Sequence, residues 1–170
     1  MLKLLLGYGA AKSEETKYYM NPKTGAYYPK KLSQTLSGQT TSTYGTHRWD
    51  GCTEMEEVDI SGFVATGSAP AHTFANCTKL KTAKISGDPA IPGNTFSNCT
   101  ALETAIIGGI GKPISTIGST AFSGCTQSTL TIEIYVTESA TLPLASSPWG
   151  ATNAEVVYRS SVDGHELGSR

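Results

Sequence analysis

Residues 74–85 read FANCTKLKTAKI, and residues 96–107 repeat the pattern as FSNCTALETAII. In both stretches an aromatic residue lies three positions before a cysteine, and apolar residues follow the cysteine at offsets of three, six and eight. Residues 49–60, WDGCTEMEEVDI, keep the same register with tryptophan as the aromatic residue. A fourth copy begins at Phe122. The chain is therefore an array of repeats.

The four repeat cysteines are separated by 25, 22 and 26 residues. A period of roughly 20 to 29 residues with a short apolar-x-apolar strand in each unit is typical of a leucine-rich solenoid. One such unit cannot bury its own apolar face, so neighbouring units must stack. We predict a mainly β solenoid of about four to five units, with parallel strands and short helical or irregular turns.

The later units depart from the strict pattern. One extra residue after Cys125 moves the strand pair to Ile132 and Ile134 and leaves Thr129 or Leu130 at the leucine position, so we expect a small bulge there. A degenerate fifth unit follows over residues 142–158, where Trp149 repeats the aromatic step and Ala154–Tyr158 forms an alternating strand. We interpret this unit as the closing cap that terminal repeats require.

The unit F-x-N-C-T-x-L-x-x-A-x-I resembles the BspA-like class of leucine-rich repeat, and residues 44–135 carry the resemblance. The family implies a parallel-strand solenoid used for adhesion or recognition at surfaces, without catalysis of its own. The closing segment 148–154, PWGATNA, also resembles segments of bacterial and prophage tail-type proteins that carry such repeats.

The cysteines occupy equivalent places in their units, and we expect them to stack as a column of buried free thiols about one strand spacing apart. An even count of four also permits disulfides, in three pairings. We expect no metal site, because no C-x-x-C pair exists and His47, His72 and His165 lie in unrelated contexts. Asn76 and Asn98 begin N-C-T triplets, and we expect their side chains to hydrogen-bond the turn backbone rather than to carry glycans.

Basic and acidic residues are unevenly distributed along the chain. Residues 1–48 contain seven Lys and Arg against two Glu, whereas the remainder has a balance of minus six. We predict a basic, tyrosine-rich arm and linker at 1–43, a solenoid with its cap at 44–159 and a polar, strand-free tail at 160–170. The apolar run at the N-terminus is too short for an export signal, and no stretch approaches the roughly 18 apolar residues of a membrane span, so we expect no membrane insertion.

Within the arm, residues 21–25 read NPKTG and separate two aromatic segments, a pattern that predicts a hairpin. Its tyrosines can pack on the first repeat as a cap or dock onto another subunit, since tyrosine is enriched at interfaces. Single-stranded nucleic acid is a further possibility, which the small charge and the absence of a recognised motif disfavour. The candidate assembly residues are Tyr18, Tyr19, Tyr27, Tyr28, Lys30 and Lys31.

The middle residue of each apolar-x-apolar strand faces away from the core. Stacking the units places these residues in columns, and solenoids use such stacked faces as extended binding surfaces. The alternative is an ordinary solvated sheet face, because the columns mix charge signs and lack aromatic anchors. The candidate binding residues are Glu57, Asp59, Thr82, Lys84, Thr104, Ile106, Thr131 and Glu133.

No catalytic motif accompanies the repeats. The glycines around Lys112 miss the spacing of a phosphate loop, and neither a dinucleotide fingerprint nor a nucleophile elbow is present, so we expect no enzyme activity and no cofactor. The expected partners are protein subunits, either further copies or other virion proteins, or a ligand on a host surface. We expect a homo-oligomer or a part of a larger assembly, located in a phage virion or, alternatively, on a bacterial surface or secreted.

Overall fold

The computed structural model describes residues 17–33, 40–41, 49–61, 64–65, 73–86 and 90–169. Every helix or strand element in these ranges is a β-strand, as the predicted β solenoid requires, and the connecting turns are irregular. The described residues do not include 1–16 or most of the predicted linker, in which Tyr44 lies. They also do not include His47 and His72.

The described strands are β1 Tyr18–Met20, β2 Tyr27–Pro29, β3 Lys31–Ser33, β4 Thr40–Thr41, β5 Glu57–Ile60, β6 Val64–Ala65, β7 Thr82–Ile85, β8 Ala90–Ile91, β9 Thr104–Ile107, β10 Thr116–Ile117, β11 Thr131–Val136, β12 Glu155–Ser160 and β13 Glu166–Ser169. Seven of them form one sheet in the order β13-β12-β11-β9-β7-β5-β3. All neighbours in this sheet are parallel except β12 and β13, which pair antiparallel.

Strict alternation fixes the register of this sheet. The second residue of each repeat strand points into the core, so that Val58 pairs with Ala83 and Ala83 with Ala105. Because the side-chain period of a strand is two, a slip of one residue would move every apolar side chain to the solvent face. Ala83 and Ala105 lie opposite each other on the adjacent strands β7 and β9, and both are completely buried.

The aromatic residue of each repeat stacks on that of the next. Trp49 and Phe74 have ring centroids 5.0 Å apart, and the Phe74–Phe96 and Phe96–Phe122 pairs follow at 5.8 and 5.1 Å. Trp149 ends the column, tilted against Phe122 at 6.3 Å. These spacings allow favourable contacts between rings, and the three phenylalanines are completely buried.

Backbone hydrogen bonds join the layers along this aromatic column as well as along the sheet. The amide of Phe74 donates to Thr95 O at 2.9 Å, and the amide of Phe96 donates to Ala121 O at 2.8 Å. Two short parallel pairs, β4 with β6 and β8 with β10, lie outside the main sheet. Each layer is thus held to its neighbours on more than one side of the coil.

Leu130 fills the leucine position of the fourth repeat and is buried, whereas Thr129 is exposed. The extra residue is accommodated in the turn before β11, because β11 pairs with β9 in continuous register from Thr131 to Ile134. The closing unit supplies β12, which pairs parallel with β11 as its alternating pattern predicts.

The prediction of a hairpin at the N-terminus is confirmed. β1 and β2 pair antiparallel, and the turn between them is closed by hydrogen bonds between Asn21 and both Gly25 and Ala26. β3 follows β2 directly and pairs with β5, so the main sheet begins within the range that the sequence assigns to the arm. Leu32 on β3 is buried opposite Val58.

The prediction of a strand-free tail is wrong. β12 extends to Ser160, and residues 166–169 return antiparallel to it as β13. The turn that reverses the chain contains Gly164 in the left-handed region at φ 83°, a conformation that glycine adopts without a steric penalty. No pattern in the sequence indicates β13, because its residues are mostly polar. A strand at the edge of a sheet can be held by backbone pairing to one neighbour, and no side chain of β13 is fully buried.

We predict that Phe96→Ala lowers the free energy of unfolding by about 3–5 kcal/mol, since it leaves a cavity between two stacked rings. Urea denaturation measures the change. Thr104→Ala, on the outer face of the neighbouring strand, is the control and should cost less than about 1 kcal/mol. Equal effects of the two substitutions would contradict the importance of the aromatic column.

Candidate binding surface

The structure brings the eight candidate strand-face residues together. β5, β7, β9 and β11 pair residue by residue, so the residues form two columns that run across the strands. β12 extends both columns, through Glu155 and Val157. The first column is Glu57, Thr82, Thr104 and Thr131, and the second is Asp59, Lys84, Ile106 and Glu133.

Charges at the two ends of this face are paired within the protein. Glu57 accepts a salt bridge from Lys31 at 2.8 Å, and Glu133 accepts one from Arg159 at 2.6 Å. The hydrogen bond to Glu133 raises the pKa of the Arg159 guanidinium. The centre of the face consists of Thr82 and Thr104 beside Lys84 and Ile106, and all four residues are half-buried. It is a polar surface of mixed charge, able to contact a partner through hydroxyl groups, the side chains of Asp59 and Lys84 and one apolar side chain.

Lys112 fixes one border of the face. It lies in a loop closed by a bridge between Gly109 and Lys112, and its Nζ atom donates to Ser61 O at 2.9 Å. The same Nζ atom lies 3.4 Å from Ser86 Oγ. Because Ser61 and Ser86 follow β5 and β7, one lysine from a later unit ties the ends of two earlier strands. Sequence reasoning missed this role, since the contact to Ser61 spans 51 residues.

The four tyrosines among the six candidate assembly residues divide between two faces of the hairpin. Tyr28 is buried, and its hydroxyl oxygen accepts from the amide of Glu54 at 3.0 Å. Tyr19 packs against Tyr28, with Lys17 Nζ 5.4 Å and Lys30 Nζ 5.7 Å from its ring centroid. Tyr18 and Tyr27 point outward and are 59% and 70% exposed.

Lysines of the arm pair with acids of the same chain. Lys30 contacts Glu56 at 2.7 Å, and Lys31 contacts Glu57. The hydrogen bond from Lys30 lowers the pKa of Glu56. Part of the positive charge of the arm is therefore neutralised by the first repeat instead of being free to attract a neighbouring molecule.

A polar clasp, formed by Asn21, Lys23 and Asp50, holds the hairpin turn to the first repeat. Asn21 is 1% exposed, and its Nδ2 donates to Asp50 O at 2.9 Å and to Cys52 Sγ at 3.3 Å. Lys23 Nζ bonds Asp50 Oδ1 at 2.8 Å. A buried amide with satisfied partners is costly to displace, so the clasp fixes the hairpin on its own solenoid.

The predicted column of buried free thiols is confirmed. The Sγ atom of Cys99 donates to Phe74 O at 3.2 Å, so a thiol of one layer binds the aromatic residue of the layer before it. Cys77 and Cys125 make the equivalent bonds, to Trp49 O and Phe96 O. Burial raises the pKa of Cys52 and of Cys125 to about 12. Thiols that stay protonated are poor nucleophiles, so the column is structural.

The repeated asparagines behave differently from expectation. Asn98 Nδ2 donates to Asn76 Oδ1 at 3.0 Å, and Asn76 Nδ2 donates to Asp50 Oδ1 at 2.8 Å. The prediction that these side chains bond the turn backbone is therefore wrong, because the stacked layers place like side chains opposite each other. Both residues have φ 59°, a left-handed conformation that asparagine tolerates. Gly124 ends this ladder, since a Cβ atom there would lie 2.4 Å from Asn98 Oδ1.

One cluster within the described residues could hold a cation. Glu138, Asp163 and His165 place ligand atoms within 4.8 Å of one another, and all three side chains are exposed. His165 Nδ1 lies 2.6 Å from Asp163 Oδ1, and Ser160 donates to Glu138. Exposed acidic groups are common without a bound ion, and the cluster is equally explained as a solvated turn.

A repeated unit of coil, parallel strand and aromatic turn defines the class of leucine-rich-repeat solenoids. The sequence profile of the BspA type leucine rich repeat region matches residues 23–141 in six copies. Because the match covers more than half of the sequence, the chain belongs to this family. The comparisons with curated proteins and with solved structures found no significant match.

The family match begins well before residue 44, where the resemblance carried by the repeat motif starts. It includes β3, whose Leu32 precedes its partner Val58 by 26 residues, a separation close to the repeat period. That spacing could have identified the first layer from sequence. A leucine-rich-repeat solenoid is typically a binding scaffold without catalysis. Among the described residues no helix is long and apolar enough to cross a membrane.

We predict that stability falls at alkaline pH because of the thiol column. The thiol pKa rises from an ordinary 9.0 to about 12 in folded Cys52 and Cys125, so above pH 9 the unfolded chain loses protons that the folded chain keeps. The free energy of unfolding should be insensitive to these thiols below pH 8 and should then fall by about 1.4 kcal/mol per pH unit for each thiol.

Urea titrations under reducing conditions between pH 7 and pH 11.5 measure this slope. In Cys99→Ala the slope above pH 10 should be shallower by about one proton, since burial also raises the pKa of Cys99. An unchanged slope would mean that the thiols titrate alike in the folded and unfolded chains.

Proposed function

We propose that this protein is a non-enzymatic structural and recognition component of a phage virion, such as a tail, fibre or capsid-surface protein. Its strand face, formed by the two columns from Glu57 to Glu133, binds a protein or a ligand on the host surface. The observation that carries the proposal is the continuous register of these columns across four parallel strands. A rigid face of this kind suits recognition without chemistry.

The composition of the face supports contact with a polar surface of low net charge. Glu57 and Glu133 are paired with Lys31 and Arg159, and the other two charged residues of the face, Asp59 and Lys84, have opposite signs at neighbouring register positions. A partner therefore need not supply a large compensating charge. Binding to a strongly charged polymer would instead require a one-sign patch.

The virion setting is supported by the closing segment 148–154, which resembles segments of prophage tail-type repeat proteins. In the structure this segment has a structural role, because Trp149 is completely buried and closes the aromatic column. The hairpin adds a second feature useful in assembly, since Tyr18 and Tyr27 face outward.

A bacterial surface adhesin or secreted host-interaction module is the second candidate. It is favoured by the contacts of the arm, which docks on its own first repeat through Tyr28 and the polar clasp. An arm buried in another subunit would have favoured the virion more strongly.

The two settings are separated by location. Antibodies raised against the purified chain are applied to banded phage particles and to washed cells of the bacterium that encodes it. The virion proposal expects a fixed copy number in the particles and immunogold labelling on them. Labelling of intact cells in cultures that release no particles would contradict it and support the adhesin.

We predict that Ile106→Asp reduces binding of the fluorescently labelled chain to host cells at least tenfold, since it replaces the apolar side chain at the centre of the face with a charged carboxylate beside Lys84. Flow cytometry measures binding. Ser119→Asp, at an exposed turn away from the face, is the matched control and should bind normally. Both variants should melt within a few degrees of the parent chain, and equal binding by both would refute the strand face as the recognition surface.

A further inference from the structure

Large apolar side chains are exposed at two places in the described chain, and these lie toward opposite ends of the solenoid. Tyr18, Met20 and Tyr27 lie on the hairpin, and Ile110 and Val162 lie near the β12–β13 turn. We propose that copies of this chain associate head to tail, the hairpin of one copy docking on the β12–β13 end of the next. The inference rests on the assembly role in the proposed function and identifies the partner as a second copy.

The side chains of the hairpin alternate between two faces. Met20 pairs with Tyr27, and Tyr18 pairs with Pro29, so these four residues share one face. Tyr19 and Tyr28 form the opposite face, which packs on the first repeat. Both faces of this two-stranded sheet are thus apolar. One is covered by the solenoid, and the other shows Tyr18, Met20 and Tyr27 at 59%, 56% and 70% exposure.

The other end has a matching patch. Val162 is 68% exposed in the turn after β12, and Ile110 is 63% exposed. The two loops are joined by the amide of Gly111, which donates to Ser161 O at 2.7 Å. The exposed acids Asp163 and Glu166 lie in the β12–β13 turn and on β13, and the exposed Glu138, in the turn after β11, accepts a hydrogen bond from Ser160 Oγ at 3.0 Å.

Charge favours contact between unlike ends. Residues 17–33 contain four lysines and no acid. Lys23, Lys30 and Lys31 are paired with acids of the first repeat, so Lys17, whose Nζ atom lies 5.4 Å from the Tyr19 ring centroid, is the lysine of the hairpin end that can attract an acidic surface. The β12–β13 end is acidic. Arg159 is the one Lys or Arg among residues 155–169, and its charge is paired with Glu133. Two acidic ends would repel each other, whereas Lys17 at the hairpin attracts the acidic end.

The position of the patches determines the type of assembly. The main sheet runs from β3, beside the hairpin, to β13 at the other end. A contact between two different patches at opposite ends is heterologous. Repeating it adds copy after copy and gives an open chain, unless the rotation between successive copies closes the chain into a ring. Each patch can bury a few hundred Å², below the roughly 800 Å² per partner of a stable interface, so we expect weak, salt-sensitive association.

Sedimentation equilibrium on the full chain tests the inference with two end-blocked variants. The first carries Met20→Glu and Tyr27→Glu, and the second carries Ile110→Lys and Val162→Lys. Ser119→Asp is the control. At about 0.1–1 mM and low salt, the parent chain and the control should exceed twice the 17.9 kDa monomer mass, and each blocked variant alone should stay monomeric.

Mixing the blocked variants gives the decisive result, because each keeps one intact end. The mixture should form a one-to-one heterodimer and nothing larger. A parent chain that stays monomeric across this range would overturn the inference. So would a parent chain that forms a dimer and nothing larger, if only the hairpin substitutions abolish that dimer, because the contact would then join two hairpins. Melting curves verify that the variants fold. If a double variant does not fold, the corresponding single substitution, Tyr27→Glu or Val162→Lys, is used in its place.

Failure of this inference can be distinguished from failure of the strand-face proposal. A parent chain that binds host cells but shows no head-to-tail association would refute this inference alone. A parent chain that associates head to tail, while Ile106→Asp and the control bind host cells equally, would refute the strand-face proposal alone.

Discussion

Each layer of this protein is buried only by the layers on either side of it, and that constraint explains most of the structure. A ring such as Phe96 is completely buried because Phe74 and Phe122 cover its two faces. The thiols and asparagines obey the same rule, each bonding a group one layer away. Identical side chains recur because each position must fit its own copy in the next layer.

The constraint also requires special solutions at both ends, where a layer lacks a neighbour. At the start, Tyr28 and Asn21 of the hairpin cover the first repeat and satisfy its polar groups. At the finish, Trp149 covers Phe122, and β13 pairs with the exposed edge of β12. Among the described residues no further layer covers the outward faces of these caps, and it is to these faces that we assign contacts between copies, while the strand face between them is the recognition surface that we propose.

Features that repeat could be predicted from the sequence, and features that occur once could not. The core positions of β5, β7 and β9 and the outward columns follow from a fixed offset after each cysteine, and the hairpin follows from its turn residues. The clasp of Asn21 with Asp50 and the reach of Lys112 to Ser61 depend on contacts between distant residues, which no local pattern encodes. β13 was missed because its residues are polar.

Native-state hydrogen exchange, followed strand by strand as denaturant is raised, tests the mutual dependence of the layers most directly. If neighbours stabilise one another, the amides of β7 and β9 exchange only through an opening that also exposes β5 and β11, and their free energies of exchange converge. If β7 or β9 exchanged fully while the strands on both sides stayed protected, each layer would be stable by itself, and the mutual dependence of the layers would be refuted.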